Sequence, residues 1–101
     1  MGSRLSLQSV LETILGTRNV YFQPPPSLMM SYPCIVYSRN DIVTKFGDNI
    51  PYIREKEYQI TVIDKNPDSL IPDKVGALPK CIFSRHYTAE GLNHDVFNLS
   101  Y

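Results

Sequence analysis

Residues 52–64 read Tyr52-Ile53-Arg54-Glu55-Lys56-Glu57-Tyr58-Gln59-Ile60-Thr61-Val62-Ile63-Asp64, and this stretch decides the fold. In its second half Tyr58, Ile60 and Val62 alternate with Gln59, Thr61 and Ile63. That is the two-residue period of a strand with one face more apolar than the other. The first half, Arg54-Glu55-Lys56-Glu57, is all charge. A strand with one wholly charged end is expected to project past the core that its other end helps to build. Upstream, Pro33-Cys34-Ile35-Val36-Tyr37-Ser38-Arg39 is a second β-prone run. Asn40 to Pro51, with Gly47-Asp48-Asn49 inside it, separates the two. The pair therefore predicts a long β-hairpin with an extended tip.

The rest of the chain falls around this hairpin. Leu7, Val10, Leu11, Ile14 and Leu15 stand at i, i+3, i+4, i+7 and i+8, the single apolar stripe of a three-turn helix. Ser3 suits its start and Gly16 its C-terminal cap; Gln8, Glu12 and Thr13 are expected to face water. Asn19-Val20-Tyr21-Phe22-Gln23 predicts a short strand ended by Pro24-Pro25-Pro26, which donate no ladder hydrogen bonds. A proline-rich docking motif is the competing reading of those three residues. Asn66-Pro67-Asp68-Ser69 predicts a helix start, with Leu70, Ile71, Val75 and Leu78 on its apolar side and Pro72 breaking it. Residues 80–87 and 95–101 predict two closing strands, with Thr88 to His94 as a loop. The order is α-β-β-β-α-β-β: a single α+β domain over 1–101, a mostly antiparallel sheet with two helices expected on one face.

Composition narrows the function classes. The 101 residues hold ten Lys plus Arg and ten Asp plus Glu, a formal net charge of zero, with 43% apolar residues. That balance gives no general pull toward DNA or an anionic membrane. The longest apolar runs, such as Cys34-Ile35-Val36-Tyr37, fall far short of the ~20 residues of a membrane span. No secretory segment is expected at the N-terminus, and Gly2 with Ser6 only loosely fits a myristoylation pattern. Cys34 and Cys81 read as small hydrophobes in a reducing compartment, with a bond between them left open.

Catalytic patterns are sparse. A metal site would draw on His86, His94 and Asp95 with a cysteine, but adjacent His94 and Asp95 point to opposite faces of a strand. No His-x-x-x-His or Cys-x-x-Cys spacing occurs. A Cys81–His86 nucleophile pair, five residues apart on one strand, is expected to split across two faces. Pairing Cys34 with His86 requires strand adjacency that sequence does not establish. Ser38, Ser69 and Ser84 lack a nucleophile-elbow context, and the five glycines form no phosphate loop. Asn98-Leu99-Ser100 matches a glycosylation acceptor without a secretory route. No catalytic residue, metal or cofactor is expected.

Seven tyrosines and four phenylalanines fit core packing and subunit contacts better than base stacking, because Arg54 and Lys56 alternate with Glu55 and Glu57. The arm itself, with Asp41, Lys45, Phe46, Asp48 and Arg54 to Glu57, has two readings. One is a solvated ribbon. The other is an arm that reaches a neighbouring subunit, with Phe46, Tyr52, Arg54 and Lys56 as interface candidates.

The chain resembles the tail-terminator, or tail-to-head joining, proteins of long-tailed bacteriophages, also called minor capsid or tail-component proteins. The stretches that carry the resemblance are Asn19 to Pro25, Tyr32 to Tyr37, Tyr58 to Asp64, Asn66 to Ser69 and Leu92 to Phe97. The initial helix and the closing strands fall in the family's order, so the resemblance extends over nearly the whole chain. The resemblance implies a structural virion protein, not an enzyme. It implies a hexameric ring that caps the head-proximal end of the tail tube, ends tube polymerisation and meets the head connector or stopper protein. DNA would pass through the lumen without sequence-specific binding, and the protein would act in the virion neck after assembly in the host cytoplasm. A ring needs two different complementary patches on each subunit. The alternatives are another neck component, such as a head-completion or stopper protein, or a small nucleic-acid-binding α+β module.

Overall fold

The computed structural model describes residues 4–25, 28–47 and 50–101, and across 41–47 and 50–55 it is the backbone that is described. Seven elements follow one another: α1 (Arg4–Leu15), β1 (Val20–Phe22), β2 (Cys34–Gly47), β3 (Ile50–Asp64), α2 (Ile71–Gly76), β4 (Cys81–Ala89) and β5 (Leu92–Ser100). This is the expected α+β order. The five strands form one sheet, β1-β2-β3-β5-β4. β1 runs parallel to β2, and the other three pairings are antiparallel.

The core lies between the helices and one sheet face. Leu7, Leu11 and Leu15 of α1 and Val75 of α2 pack with Val20, Ile35, Tyr37, Tyr58, Ile60, Val62, Phe97 and Leu99. Both helices join this one cluster, so they share a face, as the sheet's alternation demands. Tyr58, Ile60 and Val62 are all buried, the face that the period-two pattern selects. Tyr37 sits between Phe22 and Tyr58, at ring-centroid distances of 4.9 and 6.0 Å. A smaller cluster of Cys34, Ile63 and Leu92 forms on the opposite face, beside Tyr21, Met30 and Val36.

Four expectations change. First, the helix begins at Ile71, not at Asn66, and Pro72 lies in its first turn. There its missing N–H is no loss, so Pro72 starts the helix instead of breaking it. Asn66 to Ser69 instead makes a turn, in which the Asn66 side chain accepts from the Asp68 N–H at 3.0 Å. Second, Thr88 to His94 is not a loop. Only Glu90-Gly91 turn, at φ +53° and +76°, which joins β4 to β5 by a two-residue hairpin with positive φ at both positions. Third, residues 40–47 and 50–51, expected to separate the two strands as an extended tip, belong to the strands themselves, since the β2–β3 ladder of the long hairpin continues to Gly47↔Ile50; Asp48 and Asn49 fall outside the described residues. β-branched Ile42, Val43 and Thr44 favour extended backbone. Fourth, Gln8 and Glu12 do not simply face water. Gln8 donates to Glu12 at 3.1 Å and to the Val20 carbonyl at 3.0 Å, and accepts from the Tyr37 hydroxyl. Gly16 has φ +82°, as its cap role requires. Ser3 and Gly2 fall outside the described residues.

Candidate functional site

The two edges of the sheet are unlike. β1 is three residues long and ends beside Pro24 and Pro25, and its Val20 carbonyl is already occupied by Gln8. Shortness, proline and a side-chain hydrogen bond all blunt an edge against further pairing. β4 is nine residues long, with only Cys81 partly buried and every other residue exposed. Ile82 is 70% exposed, Phe83 54% and Tyr87 41%. Strand β4 carries Arg85 and His86 and no acid, and Lys80 precedes it.

A bulge divides β4. Phe83 pairs with Phe97 and Arg85 with Val96, leaving Ser84 without an opposite residue. The bulge shifts the alternation by one. Cys81, Phe83, His86 and Thr88 therefore face the helices, and Ile82, Arg85 and Tyr87 face away. Cys81 and His86 thus share a face, against the expectation from a straight strand. Phe83 meets Phe97 edge-on at 5.4 Å, and Tyr87 stacks on His94 at 4.6 Å and 11°. Arg85 lies 5.8 Å from the centre of the Tyr87 ring.

On the sheet face away from the helices, the chain between β1 and β2 leaves a shallow groove of about 290 Å³. Its walls include Pro24, Leu28, Met30, Ile63, Tyr87 and His94. Beside it Met29 is 92% exposed.

The two cysteines lie on different strands and different faces. β2 and β4 are separated by β3 and β5, three strand spacings or roughly 14 Å. A disulfide needs Cα atoms within about 7 Å, so Cys34 and Cys81 do not bond within one chain, and Cys34 and His86 are not on adjacent strands. Burial first, and then the charge of Asp64, pushes the Cys34 thiol up to about 11. Burial also raises that of Cys81, which is half-buried rather than fully enclosed. Both thiols stay protonated at neutral pH, the reverse of an activated nucleophile. His94 Nδ1 stands 3.2 Å from the Leu92 carbonyl, and His86 is exposed. Among the described residues no three His, Cys, Asp or Glu side chains gather as metal ligands.

The Cys34 environment has a measurable consequence. Its unfolded thiol ionises near 9.0 and its folded thiol near 11. The folded state therefore holds a proton that the unfolded chain releases. Its contribution is complete below pH 9 and is lost as pH rises through 11. Between these limits the wild type is expected to lose on the order of 2 kcal/mol more stability than Cys34→Ala. Urea unfolding of both proteins at pH 8 and pH 10.5 checks this; parallel losses in the two would contradict it.

Of the interface candidates, Lys56 is exposed on β3, opposite Ile42. Phe46 and Arg54 occupy ladder positions opposite Pro51 and Thr44, and Tyr52 falls at a register shift. Their side chains lie outside the described residues. Pairing of β3 with β5 begins at Glu57↔Ser100, so β2 and β3 continue beyond that point as a two-stranded ribbon. The exposed edge β4 was not among the candidates. A run of Ile82, Phe83 and Tyr87 without acids was visible in sequence, but its edge position was not.

No family model matches the chain. No curated protein matches it, and neither does any solved structure. Among the described residues no helix is long and apolar enough to cross a membrane.

Proposed function

We propose that this chain is a structural virion protein of the tail-terminator kind. Six copies would form a ring on the head-proximal end of a phage tail tube, end its growth and present a surface to the head connector. The observation that supports this reading is the ribbon of β2 and β3, which runs on past the last strand that pairs with them. It contributes to a longest dimension of 50 Å against 24 and 23 Å across. A two-stranded ribbon on its own buries little and is marginal in water, so a partner surface gives it a reason to persist. The ribbon would reach the next subunit, while the α1–sheet body supplies the patch that receives it.

The test is assembly with the tail-tube protein of the same phage. Adding the chain is expected to stop tube elongation and to yield a species near six times 11.5 kDa, about 69 kDa. Unchanged tube growth, with no species above a dimer, would reject the reading. A second reading, a nucleic-acid-binding module, draws support from β4, where Tyr87 stands exposed beside Arg85 on the face away from the helices. It predicts RNA or DNA affinity that falls with salt.

A further inference from the structure

The geometry points to a second copy of this chain as the occupant of the free β4 edge, in an antiparallel β4–β4 contact with one particular register. The inference does not depend on the ring.

The backbone limits the register. The Ser100 N–H donates to the Lys80 carbonyl at 3.1 Å, so by alternation Ile82 also turns its backbone groups toward β5. Cys81 and Phe83 then turn theirs to the free edge. Beyond the bulge the Glu90-Gly91 hairpin sets the phase from the other end: Ala89, Tyr87 and Arg85 bond to β5, and His86 and Thr88 face outward. A partner strand must therefore meet Cys81, Phe83, His86 and Thr88.

A second β4, related by a two-fold axis near Ser84 and Arg85, meets all four at once. Phe83 lies opposite His86 of the second copy, and Cys81 opposite its Thr88. The bulge makes this possible, because it puts the outward positions of the two halves on complementary parity. The same register places Ile82 opposite Tyr87 of the second copy, both on the sheet face away from the helices. The three exposed large apolar side chains of β4 are thereby paired in one step, each on its own face. A slip of one residue would set outward backbone against inward and mix the faces.

The opposite edge argues against an open-ended stack. β1 is short, and its Val20 carbonyl is taken by Gln8, so edge pairing closes at two copies. One strand edge also falls short of the about 1,600 Å² of a standard interface, so the dimer is a reversible, concentration-dependent one. The two Arg85 side chains come together near the axis. Salt that screens them strengthens the contact, the reverse of its effect on nucleic-acid binding.

Thr88→Cys tests the register in the full chain, without tail tubes. Hydrogen-bonded antiparallel pairs have Cα atoms about 5.5 Å apart, which suits a disulfide. Cys81 and residue 88 of one chain are roughly 20 Å apart along the strand, so any bond between them joins two chains. Mild oxidation is expected to convert most of T88C to a covalent dimer, with Ala89→Cys and the wild type left monomeric on a denaturing gel. Adding Ile82→Lys to T88C should reduce the dimer at least tenfold. Ile82 is 70% exposed, so that variant keeps the fold, which Phe83→Asp beside Phe97 need not. Sedimentation of the wild type should show a monomer–dimer equilibrium that shifts toward dimer with salt. Equal cross-linking of T88C and A89C, or a strict monomer at the highest soluble concentration, would overturn the proposal. These outcomes leave the tube experiment unaffected, so either reading can fail alone.

Discussion

Replacing Ile60 by alanine is expected to lower stability by about 3–4 kcal/mol, the largest effect of any single change considered for this chain. Ile60 is fully buried and stands in register between Tyr37 of β2 and Phe97 of β5. Its neighbours are large and belong to three adjacent strands held by ladder hydrogen bonds, so they collapse poorly into a void. Truncation of a buried isoleucine costs roughly 2–5 kcal/mol, with the upper part of the range where the site relaxes least. A domain of this size has about 5–15 kcal/mol in all. The variant should therefore lose about a fifth or more of its stability, and its melting temperature should fall by roughly 12 °C or more. Urea unfolding should show an earlier midpoint with an unchanged slope. A loss under about 1 kcal/mol would mean that Ile60 does not occupy the centre of the core. Ile82→Ala is the control: the same residue type, 70% exposed on β4, should change stability by less than about 0.5 kcal/mol.

Deleting residues 43–50 should abolish ring formation and leave the folded body intact. Ile42 pairs with Lys56, so the deletion leaves Pro51 to Glu55 as a five-residue loop that closes the hairpin at that pair. This is a common hairpin length. The described core uses no residue between 41 and 55. The far-ultraviolet spectrum per residue and the cooperativity of unfolding should therefore persist. If the ribbon supplies one of the two patches that a heterologous ring requires, its loss removes every inter-subunit contact of that kind. The measurement is native mass and tube capping, compared with the full chain. Rings that survive the deletion would move the contact to the body. The β4 cross-link should be unchanged by the deletion, which separates the two surfaces within one protein.

The elements mark the sequence unequally, for physical reasons. α1 and the inner half of β3 were legible because each buries one face, and burial of one face imprints a period on the sequence. Leu7, Leu11 and Leu15 and Tyr58, Ile60 and Val62 are that imprint. The outer halves of β2 and β3 were harder to bound. There Arg54-Glu55-Lys56-Glu57 is a run of charge, which carries no apolar alternation to mark a strand. The start of α2 was misplaced because Asn66-Pro67 and Leu70-Ile71-Pro72 offer proline twice, and only packing of Val75 into the core selects the second. The β4–β5 turn was hidden because Glu90 takes a left-handed conformation more typical of asparagine or glycine. The interface candidates on the ribbon follow from charge pattern. The β4 edge follows from strand order, to which local sequence is blind.

Element order, the apolar faces of α1 and of the inner half of β3, and the α+β class were set by local periodicity, because each rests on residues within a few turns or strand positions of one another. Strand order, the parallel placement of β1, the bulge at Ser84 and the exposure of one long edge depend on pairings between residues far apart in the chain. Those pairings are selected by the fit of whole faces against the helices. The surfaces that could meet another copy are therefore a product of the assembled sheet.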